Sequence, residues 1–291
     1  MDLFGQLKSM LTGGRVDVRA RYEFLQRAIS GTMSKFYKAR DRETGQIVGV
    51  KILDRKKTAD FEARFKGLKK PSEGEILASI DHPRIVKGLQ YGTTIEGDPF
   101  VVMEYLEGAG LNSLIIGRSP LLDGRRVNLI RQAAEALEAV HDAGYIHRDV
   151  CPRNFMVMPD AGELTLIDFG LTVPATAHFM QPGNRTGTPN YMAPELVKRK
   201  ATDKRLDVFA FGVSAYEICT FHLPWERGTT GQVAMTHANQ PPIDIRRYRP
   251  KMHPILAGAI THCIERDPSA RCESVGDFLR AIDSVESEDA G

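Results

Sequence analysis

Cysteine is scarce in this sequence, and its few cysteines lie far apart. Cys151, Cys219, Cys263 and Cys272 form neither a CxxC pair nor a spacing typical of metal ligands. We therefore expect reduced thiols rather than a disulfide framework or a zinc site. Reduced thiols are typical of a reducing compartment, so the cysteine content predicts a cytoplasmic protein.

An excess of charge of one sign is also missing. The 291 residues carry 39 Lys and Arg against 37 Asp and Glu, a net charge of +2. This balance gives no electrostatic reason to expect nucleic acid or an anionic membrane as a partner. No apolar run approaches the roughly 18 residues that a membrane helix needs, and the first residues lack the profile of a secretory signal. The composition, 42% hydrophobic and 26% charged, fits a globular protein of one large domain or two fused lobes.

Strand signals dominate the first part of the chain, from Tyr22 to about Val102. The predicted elements are a hairpin over residues 36–53, one helix near 71–80 with Pro71 in its first turn, and a strand pair over 85–91 and 99–104. Beyond Gly108 helical periodicity takes over. The helices predicted there are one that Asp123 caps and that ends near Gly144, a buried central helix over 206–221, and two more over 254–266 and 274–285.

The two ends of the chain are predicted to be peripheral. Apolar residues between positions 3 and 11 would share one face of a short helix, which Gly13-Gly14 would end. The acidic tail, residues 286–291, is predicted to fray. Between the ends, the order of elements predicts an α+β protein, with a small lobe of antiparallel sheet and one key helix followed by a larger, mainly helical lobe.

A lysine and a glutamate in the first lobe are predicted to form an ion pair. Lys51 lies on a predicted strand among small and apolar residues, so its charge needs a partner if that face is buried. On the following helix, Glu73 shares the apolar face with Ile76 and Leu77, whereas Glu75 points away. Taken alone, the Lys51–Glu73 pair would be an ordinary structural ion pair.

Polar side chains in the second lobe have the chemistry of a phosphate and metal site. Asp149, in the segment 147–154, can accept a proton from a hydroxyl, and Asn154 can offer an amide oxygen to a metal. Asp168 follows the apolar strand 164–167 and lies two residues before a glycine. A carboxylate in that position is well placed to hold Mg²⁺ that bridges phosphates.

The ordered set of these motifs resembles the eukaryotic-type protein kinase superfamily over about residues 22–282. The matching segments are Val48-Gly49-Val50-Lys51 with its helix partner Glu73, the catalytic loop His147 to Asn154, and the metal-binding motif Asp168-Phe169-Gly170. Further matches are Ala193-Pro194-Glu195 at the end of the activation segment, Asp207, which would brace the catalytic loop, and Arg271, which would pair with Glu195.

The resemblance implies a bilobal protein kinase fold and a phosphotransferase activity. The implied boundaries are an N-terminal extension over 1–20, a kinase domain over 21–285 (small lobe 21–104, hinge 104–108, large lobe 109–285) and a C-terminal tail over 286–291. The implied reaction moves the γ-phosphate of ATP to a serine or threonine hydroxyl of a protein substrate, with Mg²⁺ as the metal. The sequence leaves the oligomeric state open.

The resemblance also assigns roles to single residues. Lys51 would hold the α- and β-phosphates of ATP, with Glu73 fixing its position. Asp149 would orient the attacking hydroxyl and accept its proton, while Asn154 and Asp168 would hold Mg²⁺. The implied nucleotide-binding positions are Ala28, Gly31, Phe36, Gly49, Lys51, Met103, Glu104, Leu106 and Met156.

The nucleotide-binding segments depart from the family pattern in two places. Of the three glycines of the phosphate-covering loop, residues 29–34, only Gly31 survives, which should weaken ATP binding without abolishing it. Phe36 stands where the family usually has valine, and Gly49 where it has alanine. A large-for-small change beside a small-for-large change would conserve the volume of the pocket.

The catalytic loop departs from the family as well. Cys151 occupies the place where serine/threonine kinases typically carry lysine, and we hypothesise that Arg153 substitutes as the cation near the transferring phosphate. The segment 187–195 resembles the substrate-docking loop of serine/threonine kinases, in which Thr188 would bond to Asp149. This resemblance favours serine or threonine over tyrosine as the target.

Two other functions and one question of control stay open at this stage. A pseudokinase or nucleotide-binding signalling scaffold, with weak or no phosphotransfer, would fit the altered loop and Cys151. A kinase acting on a small metabolite would not need the docking loop. Arg148 could receive a phosphate placed on Thr172, Thr176 or Thr186 of the activation segment, or it could serve only in packing and hydrogen bonding.

Overall fold

The structure, a computed structural model, describes residues 15–65, 67–225 and 239–289. These residues form two compact units, which divide between Glu107 and Gly108. The first unit is built around a sheet and the second is mainly helical, so the α+β class predicted from the sequence is confirmed. The helix predicted between residues 3 and 11 lies outside the described residues.

A sheet organises the first unit. Its strands are β1 (Arg15–Val16), β2 (Tyr22–Phe24), β3 (Ile29–Ser30), β4 (Ser34–Asp41), β5 (Ile47–Leu53), β6 (Gly88–Thr94) and β7 (Pro99–Glu104). Its helices are α1 (Val18–Arg21), α2 (Arg55–Glu62) and α3 (Glu73–Ser79). Within the described residues the strand order is β1-β6-β7-β5-β4-β2, with β3 also paired to β4. All these pairs are antiparallel except β1 with β6.

Strands β4 and β5 confirm the predicted hairpin and supply much of the core of this unit. Gly45, in their connecting turn, has a φ of 73°, a left-handed conformation that glycine adopts without steric cost. Side chains from five elements then pack into one buried apolar cluster. Its members are Val18, Tyr22, Ala39, Val48, Val50, Phe100 and Val102. This packing holds β5 at the centre of the sheet.

Helix α3 begins later than the sequence analysis predicts, and the placement of Pro71 in its first turn is wrong. Ser72 is the N-cap, because its hydroxyl accepts the Glu75 N–H at 3.2 Å. The Glu75 carboxylate in turn accepts the Ser72 N–H at 2.7 Å. This reciprocal capping box fixes the first turn of the helix at Glu73 and leaves Pro71 outside it.

The second unit contains helices and short strand pairs. Its helices are α4 (Leu111–Ile116), α5 (Arg126–Asp142), α6 (Pro194–Val197), α7 (Arg205–Thr220), α8 (Pro254–Cys263) and α9 (Val275–Ala281). Its strands are β8 (Ala109–Gly110), β9 (Tyr145–Ile146), β10 (Phe155–Val157), β11 (Leu164–Leu166) and β12 (Val173–Pro174). Single 3₁₀ turns cover Pro120–Leu122, Pro152–Asn154, Pro189–Tyr191 and Ile245–Arg247. Strand β10 lies between β8 and β11, and β12 pairs with β9.

The predicted central helix is present as α7, in which every residue from Leu206 to Thr220 is buried. The prediction that Asp123 caps helix α5 is wrong. Asp123 instead ends a 3₁₀ turn, α5 starts three residues later at Arg126, and the Asp123 carboxylate accepts a hydrogen bond from the Arg126 guanidinium at 2.6 Å. In the part of the chain that the structure describes, no helix is both long and apolar enough to cross a bilayer.

The acidic tail is anchored as far as Asp289, so the prediction that it frays is wrong for these residues. Glu288 is buried and forms ion pairs with the buried Arg126 and with the half-buried Arg249. Asp289 adds a second carboxylate to Arg249 at 2.8 Å. The His253 N–H donates to the Glu288 carbonyl at 2.9 Å. Guanidinium groups withdrawn from water need carboxylate partners, and the tail supplies them.

We expect Glu288→Ala to lower the free energy of unfolding by about 3 kcal/mol, because it removes one partner of a buried ion pair and leaves Asp123 as the remaining carboxylate at Arg126. Urea denaturation measures this loss. Glu286→Ala, which changes an exposed glutamate two residues earlier, is the control and should have little effect. Equal stability of the two variants would contradict the anchoring role of Glu288.

Candidate active site

The ion pair predicted in the first unit is present. Lys51 Nζ lies 2.7 Å from Glu73 Oε1, and both side chains are buried. Strand β5 places Lys51 between Phe36 of β4 and Val101 of β7, while the capping box of α3 fixes the turn that carries Glu73. A buried ammonium group requires such a partner, so the pair holds the lysine in one position.

The phosphate-covering loop forms a tight hairpin between β3 and β4. The Gly31 N–H donates to the Ser34 carbonyl at 2.8 Å. The φ of Gly31 is not left-handed, and a Cβ there would come no closer than 3.4 Å to Ser34 O, an ordinary contact. The folded loop therefore does not itself require glycine at this position. Ala28, just before the loop, is half-buried.

Phe36 fills the space beside Gly49, as the sequence analysis predicts. A Cβ on Gly49 would lie 2.7 Å from Phe36 Cζ, 2.8 Å from Phe36 Cε2 and 3.3 Å from Met103 Cγ. Contacts below 3.0 Å are too close for a real Cβ, so an alanine side chain here would require the phenyl ring to shift. The structure thus brings together three of the predicted nucleotide-binding residues: Phe36, Gly49 and Met103.

The remaining predicted nucleotide-binding positions lie on different elements. Glu104 ends β7, and its N–H donates to the Lys87 carbonyl at 3.0 Å. Leu106 follows in the first unit and is half-buried. Met156 belongs to the second unit, in β10, where it pairs with Gly110 of β8. Their roles toward a nucleotide stay predictions.

In the second unit, Asp149 is held by hydrogen bonds from Thr188 and Asn154. The backbone N–H and the hydroxyl of Thr188 both donate to Asp149 Oδ1, at 2.8 and 2.7 Å. The Asn154 amide nitrogen donates to Asp149 Oδ2 at 3.1 Å and to the Asp149 carbonyl at 2.7 Å. The predicted Thr188–Asp149 bond is therefore present, and the carboxylate has a fixed orientation.

The two predicted metal ligands, Asn154 and Asp168, have suitable donor groups. Because the amide nitrogen of Asn154 donates to Asp149, its oxygen is the atom that can serve a cation. The Ile167 N–H donates to the Asn154 carbonyl and the Gly170 N–H to Asp168 Oδ1, both at 2.9 Å. No group of three or more His, Cys, Asp and Glu side chains among the described residues could bind a metal unaided. These residues fit Mg²⁺, which takes one or two protein ligands and completes its shell with phosphate and water.

Arg153 and Cys151 both lie beside the hydroxyl of Thr188. Arg153 Nη2 donates to Thr188 Oγ1 at 2.9 Å, which places an exposed cation next to Asp149. Cys151 Sγ lies 3.7 Å from the same oxygen and is fully buried. Burial, followed by the negative charge of Asp149, raises the pKa of the Cys151 thiol to about 11. The thiol is therefore neutral at physiological pH and acts as a small packing residue.

The catalytic loop is braced by Asp207, which is fully buried in α7. Its carboxylate accepts the backbone N–H groups of His147 and Arg148 at 2.7 and 2.8 Å. The Nε2 atom of His141 lies 3.0 Å from Asp207 Oδ2. Burial alone would raise the pKa of Asp207, but the hydrogen bond and charge of His141, with the other donors, lower it overall. The sequence analysis does not predict the role of His141, because a histidine in the last turn of an amphipathic helix does not by itself indicate a buried partner.

The predicted pair between Arg271 and Glu195 is also present. Nη1 and Nη2 of Arg271 donate to the two carboxylate oxygens of Glu195 at 2.8 and 3.0 Å. The same guanidinium donates to the Arg205 carbonyl at 2.7 Å and lies over the ring of Phe209 at 4.9 Å. Bidentate pairs of this kind fix both position and orientation, so the end of the segment 187–195 is anchored.

Arg148 is hydrogen-bonded to neutral acceptors of the activation segment. Its Nη2 donates to the Asn184 carbonyl at 2.9 Å and to Thr186 Oγ1 at 3.3 Å. Burial lowers the pKa of Arg148 to about 10, although the negative charge of Asp207 acts in the opposite direction and raises it. Thr172 and Thr186, two of the predicted phosphorylation sites, are buried in this arrangement.

Comparison with known proteins identifies the family of this chain. The sequence model of the protein kinase domain matches residues 22–279. The chain belongs to the protein kinase family. This kinase domain is 30% identical over 270 residues to the serine/threonine-protein kinase pkn3 of Myxococcus xanthus, a match that covers 89% of this chain and 48% of the relative.

Two further relatives of the kinase domain extend the comparison. The serine/threonine-protein kinase pkn2 of Myxococcus xanthus is 30% identical over 289 residues, which are 96% of this chain and 34% of the relative. The serine/threonine-protein kinase PknA of Mycobacterium tuberculosis is 29% identical over 277 residues, 93% of this chain and 62% of the relative. The chain therefore spans between about a third and three fifths of the length of these relatives.

The close packing of Phe36 against Gly49 predicts how substitutions at these two positions change the free energy of unfolding. Gly49→Ala restores the residue usual in the family but drives a Cβ into the Phe36 ring, so we expect the free energy of unfolding to fall by about 1–3 kcal/mol. Adding Phe36→Val should restore most of that loss, because the smaller side chain vacates the space. Denaturant unfolding of both single variants and the double variant measures the coupling. Strictly additive losses would contradict this account.

Proposed function

We propose that this kinase domain transfers the γ-phosphate of ATP to a serine or threonine hydroxyl of a protein substrate. The geometry of Asp149 carries the proposal: Thr188 and Asn154 hold its carboxylate in one orientation, beside a segment that Arg271 anchors through Glu195. Phosphoryl transfer requires little covalent chemistry from the protein. Positioned charges and hydrogen-bonding groups supply most of the rate.

The first unit would bind the nucleotide. Lys51, held by Glu73, would contact the α- and β-phosphates with a single fixed ammonium group. Backbone N–H groups of the phosphate-covering loop would approach the phosphates at Gly31, the one position of the loop without a side chain. Phe36 and Met103 would contact the adenine ring. The phenyl group of Phe36 already fills the space beside Gly49.

The second unit would perform the transfer. Asp149 would orient the attacking hydroxyl and accept its proton at the carboxylate. Asn154 and Asp168 would hold Mg²⁺, which neutralises charge on the phosphates when it is bound. Arg153 would add a cation beside the transferring phosphate. It would thereby take over the role of the lysine usual in the family, whose position Cys151 occupies here.

Two observations support serine or threonine rather than tyrosine as the target. Thr188 bonds Asp149 in the manner expected of the docking loop of serine/threonine kinases. The relatives pkn3, pkn2 and PknA are named serine/threonine-protein kinases. We also propose a cytoplasmic location, which the free and buried state of all four cysteines supports.

A nucleotide-binding scaffold with weak phosphotransfer is the second candidate. The observation that favours it is the form of the phosphate-covering loop, a closed hairpin that retains a single glycine. Such a loop offers fewer backbone N–H groups at close range to phosphate than a glycine-rich one.

Incubation of the full chain with Mg²⁺, ATP and a general protein substrate separates the two candidates. We expect phosphoserine or phosphothreonine to form, and Asp149→Ala to reduce the rate by about 10²- to 10⁴-fold through loss of the base. Phosphoamino-acid analysis measures the product, and a melting shift with ATP reports binding. A nucleotide-dependent shift without phosphotransfer by the unaltered protein would contradict the enzyme and favour the scaffold.

Arg153 makes a separate prediction. We expect Arg153→Ala to reduce kcat by about tenfold, because a cation beside the transferring phosphate is lost, and Arg153→Lys to retain part of the rate. Arg266→Ala, which changes an exposed arginine elsewhere in the same unit, is the matched control. Turnover by Arg153→Ala equal to that of the control would show that this arginine has no part in the transfer.

A further inference from the structure

The tip of the phosphate-covering loop is tied to the start of helix α2. Lys57 Nζ donates to the Thr32 carbonyl at 2.7 Å. The Asp54 N–H donates to the Met33 carbonyl at 2.8 Å. Two successive carbonyls at the turn of the hairpin are therefore bonded to one helical turn. We call this set of contacts the loop clamp.

The helical side of the clamp is itself fixed. Asp54 is the N-cap of α2, and its Oδ1 accepts the Lys57 N–H at 3.0 Å. That hydrogen bond is the main reason why the pKa of Asp54 is lowered, so the cap is a carboxylate at neutral pH. Helix α2 begins directly after β5, the strand that carries Lys51. The donors of the clamp, Asp54 and Lys57, and the predicted nucleotide-binding residue Lys51 consequently belong to one continuous segment, residues 51–57.

The composition of the loop explains why a clamp would matter here. A glycine-rich loop samples many backbone conformations and can close on a phosphate in several ways. In this chain Thr32 and Met33 follow the single glycine, and Gly31 itself has no left-handed φ. The loop therefore has fewer conformations, and the one that the clamp selects would decide how its N–H groups are presented.

We propose that Lys57 is a positioning residue for the nucleotide phosphates, acting through the Thr32 carbonyl. This inference rests on the proposed function, because it assigns the clamp to the same loop that would cover ATP. Lys57 touches neither substrate nor metal in this role. It holds the hairpin in its binding form before the nucleotide arrives, so that less conformational freedom is lost on binding.

The test uses the full chain and a non-hydrolysable ATP analogue with Mg²⁺. For Lys57→Ala we expect calorimetry to show an affinity about two- to fivefold weaker, the range expected from one exposed charge-assisted bond. KM for ATP should rise by the same factor, with kcat within about twofold of the unaltered protein. Lys57→Arg keeps the donor and should restore most of the affinity. Lys56→Ala removes the same charge from the adjacent exposed position and should change neither constant.

Amide hydrogen exchange gives a readout that does not depend on activity. In Lys57→Ala we expect faster exchange at the Gly31 and Asp54 amides, whose bonds close the hairpin and the clamp. Equal exchange and equal affinity in Lys57→Ala and Lys56→Ala would overturn the positioning role and leave the proposed function intact. Faster exchange in Lys57→Ala, together with no nucleotide binding by the unaltered protein, would overturn the proposed function and the positioning role with it.

Discussion

The catalytic loop of the second unit depends on one carboxylate that has no access to water. Asp207 lies in a helix that is buried on every side, where an isolated charge would be strongly disfavoured. It is tolerated because the backbone N–H groups of His147 and Arg148, together with His141, satisfy it. The need to satisfy this charge fixes the backbone immediately before Asp149. Arg148 accordingly adopts a φ of 68°, a conformation that a non-glycine residue rarely keeps without external constraint.

Charged groups buried elsewhere act in a similar way within their own units. Lys51 with Glu73 joins a strand to a helix in the first unit, and Glu195 with Arg271 joins the docking segment to the distant part of the second. Buried ion pairs add little net stability over apolar packing, but breaking one is costly. They therefore specify position more than they stabilise the fold. A reaction that depends on positioned charges benefits from that property.

The sequence predicted the features that local patterns or ordered motifs encode. Alternation along β5 and the helical spacing after Glu73 were sufficient to place the Lys51–Glu73 pair, and the motif order identified the partners Thr188 and Arg271. The capping box of Ser72 also has a sequence signature, a serine three residues before a glutamate, and this signature fixes the helix start more closely than Pro71 does. Contacts between distant segments that no motif marks are not readable from the sequence. The acidic tail looked solvated because nothing near it in sequence indicates Arg126, and no local pattern connects Lys57 with Thr32.

The close contact between Phe36 and Gly49 has a consequence for how such a pocket could have arisen. From a family-like valine and alanine, a phenylalanine introduced first would have collided with the methyl group at position 49. A glycine introduced first would have left only a small gap, which costs far less than a collision in a packed interior. Of the two orders, the one that opens the space at position 49 before filling it therefore passes through the less strained intermediate.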